Sequence, residues 1–304
     1  MKITGLYHSR DLDGYTSGAI IKRKYPEATM IGWDYGQPIP DIKDQDLVIM
    51  ADISFPMNDM HLLSKNNGGN FVWIDHHISA INDYKAYLEE YSAIIDGETF
   101  LKDSNLKTTK SACELCWEFF FPDENMPLAI NYLGVYDTWR EKGTERWNCE
   151  IEPFQYGMRI LCDSPKTFPD EIFNNDLEFN KSVISKGITI LDFMDKYNQE
   201  QCKHAFESEV FGKKAICLNT TGLGSAVFSS KWNPDVYDIM IVFKFDGKKW
   251  KFSIYTEKDD IDVSKFAKSK GGGGHKGASG FEISDITEIF PQISDDMDLK
   301  QIYW

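Results

Sequence analysis

Three short stretches of this chain concentrate side chains that can hold a divalent cation. The first is His8-Ser9-Arg10-Asp11-Leu12-Asp13-Gly14, the second is Asp52, and the third is Asp75-His76-His77. Mixed imidazole and carboxylate donors suit divalent transition metals such as Mn²⁺ or Fe²⁺. If His8, Asp11, Asp13, Asp52 and His76 met in one crevice, they could not all be charged there without a cation. Each piece alone is ordinary. Asp11 to Gly14 reads equally well as a turn that caps a helix, and its glycine and glutamate positions do not fit an EF-hand. Asp52 alone is a loop acid, and two histidines after a strand can simply face water.

The weight comes from the elements that carry these groups. Ile3 to Tyr7, Asp46 to Ala51 and Phe71 to Ile74 are short apolar runs of the buried-strand type, and each ends at one of the three stretches. Thr29 to Trp33 is a further short run. Helix-like spacing at Ser17 to Lys24 and His61 to Lys65 separates them, the pattern of β-α-β units in a mostly parallel sheet. Ligands of open α/β sheets bind beyond the carboxyl ends of the strands, so three parallel strands would deliver all five groups to one crevice. Further on, Thr108 to Ser111 reads as a helix start ahead of Ala112 to Phe121. A second helix fits Pro127 to Tyr136, and several short helices fit residues 140–180. Ser182 to His204 reads as a long polar connector helix.

The last hundred residues change character. Lys214 to Leu218, Tyr237 to Phe245 and Trp250 to Tyr255 read as strands, with Asp246-Gly247 as a hairpin signal. A short helix at Asp262 to Lys270 precedes a glycine run. The expected architecture is α/β: a parallel-sheet N-terminal domain over 1–180, a helical linker over 181–210, and a smaller α+β domain over 211–304.

Composition narrows the class. The 304 residues are 42% hydrophobic and 27% charged, ordinary for a folded protein and enough for two domains. No run of 18 apolar residues exists and the N-terminus is too polar for a secretory signal, so the expected location is the cytoplasm without membrane attachment. A net charge of −15 argues against wrapping duplex nucleic acid, but not against a small anionic substrate at a cation site. Cys113-x-x-Cys116 lacks the partners of a zinc site and lies in an apolar helical run, so buried packing is the expected role.

At this point a resemblance emerges. Asp75-His76-His77 resembles the signature of the DHH phosphoesterase superfamily. His8, Asp11 and Asp13 are similar to its opening motif, Asp52 to its second, and Asp137, within Leu133 to Trp139, to its fourth. Gly271-Gly272-Gly273-Gly274-His275-Lys276-Gly277-Ala278-Ser279-Gly280-Phe281 resembles the glycine-rich loop of the DHH-associated C-terminal domain, and Asp262 to Ala267 fits upstream of it. Gly272, Gly274 and Gly277 also satisfy G-x-G-x-x-G. That run follows a lysine-rich helix, however, and only 27 residues remain after Gly277, too few for a dinucleotide-binding unit; no Ser or Thr follows Lys276 as a Walker loop needs. Many relatives carry arginine near Tyr255. Ser253 to Thr256 looks closer to an oligoribonuclease-like branch.

The resemblance implies a two-metal phosphodiesterase. His8, Asp11 and Asp52 would hold one divalent ion and Asp13, Asp52, His76 and Asp137 the other, with Asp52 bridging. Mn²⁺ is foremost; Mg²⁺, Co²⁺ and Fe²⁺ are alternatives. His77 would stabilise the phosphoryl group or protonate the leaving group, and Asp75 would orient a ligand imidazole. Gly272, Gly273, Gly274, His275, Lys276 and Tyr255 would bind substrate as the C-terminal domain closes. The implied partners are short RNA or DNA oligonucleotides or small nucleotides, with a homodimer compatible. A pyrophosphatase or exopolyphosphatase is the enzymatic alternative, and a non-catalytic nucleotide sensor the alternative of another class; the latter would have lost a ligand position, and all six are filled. Trp139, Phe266 and Tyr255 could stack on bases, although packing is the commoner role in a chain that is 14% aromatic.

Overall fold

The computed structural model describes residues 1–91 and 100–291. It divides into two compact units, Met1–Leu191 and Asp192–Trp304. Among the described residues, no helix is long and apolar enough to cross a membrane.

In the first unit, β1 (Ile3–His8), β2 (Thr29–Trp33), β3 (Leu47–Ala51), β4 (Phe71–Asp75) and β5 (Asp103–Leu106) form one sheet in the order β2-β1-β3-β4-β5. Every pairing is parallel. Successive side chains point to opposite faces of a strand, and here both faces are buried. Leu47, Ile49, Ala51, Val72 and Ile74 pack into one cluster, while Val48, Met50, Phe71 and Trp73 pack into another. The first cluster is covered by α1 (Leu12–Lys24), α4 (Ala112–Phe120), α5 (Leu128–Asp137) and α6 (Glu152–Arg159); the second is covered by α2 (Met57–Asn66) and α3 (Ile78–Tyr91). The result is a three-layer α/β unit. A five-residue π-helical turn, Trp147–Ile151, and a short 3₁₀ turn, Asp170–Phe173, fill the segment where several short helices were expected.

Two local features depart from the sequence reading. Helix α1 begins at Leu12 rather than Ser17, because the Asp11 carboxylate accepts from the Gly14 amide at 3.0 Å and caps the helix there. Strand β5 was not foreseen. Its sequence, Asp-Ser-Asn-Leu, has no apolar alternation, and it is held at the sheet edge by backbone pairing with β4.

Helix α7 (Leu177–Cys202) crosses the division between the units. The second unit carries β6 (Phe206–Val210), β7 (Lys213–Asn219), β8 (Ile239–Phe245), β9 (Trp250–Tyr255), α8 (Val263–Ser269), β10 (Gly273–Gly274) and β11 (Ala278–Ile283). The sheet order is β10-β11-β9-β8-β7-β6, with β7 and β8 parallel and the other pairs antiparallel. Strand β6 occupies residues that the sequence reading gave to the linker; it pairs with β7 across the two-residue Phe211-Gly212 turn, where both residues have positive φ. The two units together match the α/β plus α+β architecture expected from the sequence.

Cys113 and Cys116 are fully buried in α4. Burial pushes both thiols well above the ordinary range. A redox or metal thiol needs the opposite, an accessible sulfur with a lowered pKa, so these two cysteines are packing groups.

Candidate active site

The strand order changes direction between β1 and β3, whose carboxyl ends flank the switch point where ligands of such sheets bind. His8 ends β1, Asp52 follows β3, and Asp75 ends β4 with His76 and His77 just beyond. The register Tyr7↔Ala51 and Ala51↔Ile74 brings these ends level.

Asp52 stands at the centre. It is 2% exposed and its φ is 63°, a left-handed conformation unusual for any residue but glycine or asparagine. Its amide donates to the Ile74 carbonyl at 3.0 Å, which fixes that bend. Its two carboxylate oxygens face different groups: Oδ2 lies 3.4 Å from His8 Nδ1, and Oδ1 lies 3.4 Å from His76 Nε2. Asp11 Oδ2 is 2.9 Å from His8 Nδ1, and Asp137 Oδ2 is 3.3 Å from His76 Nε2. Asp13 Oδ2 completes this side at 3.7 Å from the same His76 nitrogen.

The donor atoms thereby fall into sets compact enough to hold an ion: His8, Asp11 and Asp52; Asp13, His76 and Asp137; and Asp52, His76 and His77. Electrostatics points the same way. Burial, followed by the charges of Asp13 and Asp52, pushes the Asp137 carboxyl up to about 9. Burial, then Asp13, likewise raises Asp52 well above the carboxylate range. Burial works against charge on His8, but Asp11 and Asp52 outweigh it and raise the imidazole to about 10. His8 Nδ1 is buried and makes no well-aligned hydrogen bond despite its nearby carboxylates. Crowded acids that resist ionisation, around an imidazole nitrogen without an aligned partner, fit a cation as the missing charge.

The surroundings hold the donors in place. Asp13 is 3% exposed and receives the Ala112 and Cys113 amides on separate oxygens, each at 2.9 Å. These are the first two amides of α4, which lack intrahelical acceptors and carry the positive end of the helix dipole. Ser111 and Glu114 start α4 with a reciprocal capping box. Glu114, nearly fully buried, also accepts from Arg140 Nη2 at 2.7 and 2.8 Å. Arg140 lies three residues past Asp137, so this ion pair ties the end of α5 to the start of α4. Gly134 permits the approach, because a Cβ there would stand 2.5 Å from Glu114 Cγ.

Asp75 is fully buried, and its Oδ1 accepts from the amides of His76 and His77 and pairs with His77 Nδ1 at 2.7 Å. The sequence reading had Asp75 orient a ligand imidazole. The ring it holds is that of His77, since the His76 ring turns toward Asp13, Asp52 and Asp137. This hydrogen bond is the main cause that raises the His77 pKa.

Asp34 was missed by sequence reasoning. It follows β2 directly and lies 3.5 Å from His8 Nε2 and 3.9 Å from Arg10. Its signal was the one used for Asp52, an acid at a strand end. Ser111 was read as part of a helix start, but its partner Glu114 was not singled out; the spacing of a Ser and a Glu three positions on was the signal that could have found it. Arg140 pairs across 26 residues of sequence, with no local sign.

The glycine run belongs to the second unit. Gly273 and Gly274 form β10, which turns through His275 into β11; the His275 amide donates to the Ala278 carbonyl at 2.8 Å. A Cβ on Gly272 would sit 2.1 Å from the Gly280 carbonyl oxygen, so close backbone passage is one reason for glycine there. His275 and Lys276 are exposed. Tyr255 packs beside the cluster of Ile216, Leu218 and Phe228, and Phe266 stacks on Phe211 with centroids 5.0 Å apart. Packing accounts for both aromatics.

No family model matches the chain. It is similar to an uncharacterized protein, R106, of Acanthamoeba polyphaga mimivirus, at 24% identity over 98% of this chain and 72% of the relative. It is also similar to oligoribonuclease NrnB of Bacillus subtilis, at 23% identity over 94% of this chain and 74% of the relative. Among solved structures, the pGpG-specific phosphodiesterase PggH from Vibrio cholerae shares the fold with a TM-score of 0.52, at 11% identity over 95% of each chain. Parallel strand ends that gather aspartates and histidines in this way form a frame able to hold divalent cations, the kind of site that phosphoester hydrolysis uses. The motifs at these strand ends resemble those of the DHH phosphoesterase superfamily, and the similarity to oligoribonuclease NrnB agrees with that resemblance.

Proposed function

We propose that this protein is a divalent-metal-dependent phosphodiesterase acting on short oligonucleotides or small nucleotide phosphodiesters. The observation that carries the reading is Asp52, whose two oxygens face His8 on one side and His76 on the other. His8, Asp11 and Asp52 would hold one ion; Asp13, Asp52, His76 and Asp137 would hold the second, with Mn²⁺ foremost. Two such ions supply the positive charge that activates water and polarises a phosphoryl oxygen.

The chain's own residues do the rest. The α4 amides hold the Asp13 carboxylate in place. His77 Nδ1–H donates a hydrogen bond to Asp75, which would leave His77 Nε2 to face the reacting group. His77 is 43% exposed, accessible to substrate, and an imidazolium so held can protonate a leaving oxygen or stabilise phosphoryl charge. Gly272 to Gly274, with His275 and Lys276, would take a substrate phosphate through backbone amides and cationic groups. Tyr255 is the weakest member of this set, because its ring is engaged in packing.

The resemblance to an oligoribonuclease and to a pGpG-specific enzyme supports small nucleotide diesters as substrates. The test is a hydrolysis panel with Mn²⁺: dinucleotides, a ~25-mer RNA, cyclic nucleotides, 3′,5′-bisphosphate nucleotides, pyrophosphate and polyphosphate. The expected result is highest kcat/KM on dinucleotides, because a chain of net charge −15 gains little from contacting many phosphates. Efficient cleavage of pyrophosphate or polyphosphate alone would replace the reading with phosphoanhydride hydrolysis. Preferential degradation of the long RNA would refute the short-substrate preference.

A further inference from the structure

Trp139 occupies a position that its backbone reserves for glycine. Helix α5 ends at Asp137 with Thr138 as its cap, and Trp139 is the next residue, at φ 55°. Helices commonly end with one left-handed residue at this place, and it is usually glycine because a Cβ is disfavoured there. A bulky side chain in this conformation is an outlier that tends to persist where function requires it.

Core packing does not explain the residue. Its side chain is 57% exposed, whereas Tyr136, three positions earlier, stacks on Trp147 at 5.2 Å. The indole is nonetheless held. The Thr138 amide donates to Gly134 and the Trp139 amide to Tyr136, each at 3.2 Å. Arg140 is anchored by Glu114 and by the Thr109 carbonyl, the latter at 3.2 Å. The Lys142 ammonium lies 3.9 Å from the ring centroid, a cation–π contact. No carboxylate pairs with Lys142 among the described residues. The outcome is a large, flat, exposed ring on a fixed backbone, two residues from a donor of the metal-binding cluster.

We propose that Trp139 is the nucleobase platform of this site: a base adjoining the scissile phosphodiester stacks on the indole, while Lys142 covers the ring from another direction. This rests on the phosphodiesterase reading and narrows its substrates to diesters that carry a base. Base-on-aromatic stacking tolerates any base, since every base has a π-face. Trp139 therefore selects for the presence of a base rather than for its identity. Of the three aromatics that the sequence offered for stacking, Phe266 and Tyr255 are half-buried against core clusters, and Trp139 is the most exposed.

The test compares kcat/KM for a diribonucleotide with kcat/KM for the same compound lacking both bases, in wild type, Trp139→Gly and Trp139→Phe. Glycine suits the left-handed backbone, so Trp139→Gly should fold, and its melting temperature checks this. Wild type should favour the base-bearing diester by about tenfold to a hundredfold, the span of one aromatic stack. In Trp139→Gly that ratio should fall toward one, chiefly through KM, and Trp139→Phe should restore most of it. Binding without turnover gives a second readout: in chelator, the dinucleotide should quench wild-type fluorescence more than that of Trp139→Phe. A ratio in Trp139→Gly equal to that of wild type overturns the platform and leaves the phosphodiesterase reading standing. An equal loss on both compounds, with the ratio preserved, also overturns it and makes Trp139 a structural residue. Failure of wild type to cleave either compound overturns the phosphodiesterase reading itself, and the platform with it.

Discussion

Replacing Arg140 with methionine should damage metal binding without touching a donor. Glu114 is nearly fully buried, and the Arg140 guanidinium is the cation that neutralises it. Removing one partner of such a pair strands a buried charge, which costs about 3–5 kcal/mol. Here the lower end applies, because the Ser111 amide still reaches Glu114 at 3.1 Å and Asn131 Nδ2 lies 3.4 Å away. Arg140→Met should therefore destabilise by about 3 kcal/mol. Glu114→Gln keeps an acceptor for Ser111 and leaves Arg140, 31% exposed, within reach of water; its cost should be about 1 kcal/mol. The double variant should be more stable than Arg140→Met alone, since the stranded charge is gone. Urea unfolding of the four proteins measures this cycle, and Mn²⁺ titration calorimetry reads the consequence. Because α4 supplies the amides that hold Asp13 and Arg140 follows Asp137, Mn²⁺ affinity should fall in Arg140→Met and recover in part in the double variant. Destabilisation by less than 1 kcal/mol, or simple additivity of the two changes, would refute the reasoning.

Asp52→Asn, which keeps the shape and tolerates the left-handed backbone, should lose Mn²⁺ and turnover while the metal-free protein stays at least as stable as wild type, as elemental analysis and thermal unfolding in chelator would record. His77→Ala should retain metal but lose turnover by on the order of a hundredfold or more; near-normal turnover would contradict its role. His275→Ala should keep its metal and weaken catalysis on nucleotide diesters, and a lowered metal content would place that loop in the metal site instead. In the metal-free protein, the Asp137 carboxyl at about 9 and the His8 imidazole at about 10 both lie above their unfolded values of 3.8 and 6.5. The Asp137 contribution destabilises progressively as pH rises from about 4 to 9, and the His8 contribution, full below about 6.5, is lost toward 10. Unfolding in chelator should thus show lower stability at pH 8 than at pH 5, whereas Mn²⁺ should reverse the trend because donors must be deprotonated to bind it.

The strands and the acids at their ends were legible in the sequence, because buried parallel strands are continuous apolar runs and a polar residue at the end of one is conspicuous. The helix start at Ser111 was equally local. Strand β5 was not legible. Its four residues carry no pattern, and only the free edge of β4 makes them a strand. Asp34 had the right signal but no companion to distinguish it until β2 was laid beside β1.

The sequence by itself determined which groups could bind cations, since side-chain chemistry and the period of the apolar runs are properties of the chain. Only the tertiary structure decided how they are shared. Asp75 holds His77 and not His76, Asp13 rests on the amides of a helix about a hundred residues away, and Glu114 is neutralised by Arg140. Only the fold separates the exposed Trp139 from the packed Phe266, which composition alone cannot tell apart. These are contacts between distant segments, and a carboxylate or an aromatic ring carries no mark of its eventual partner. That choice is made by which element ends the packing of the sheet brings within a few ångströms, where burial makes an unpartnered charge too costly to keep.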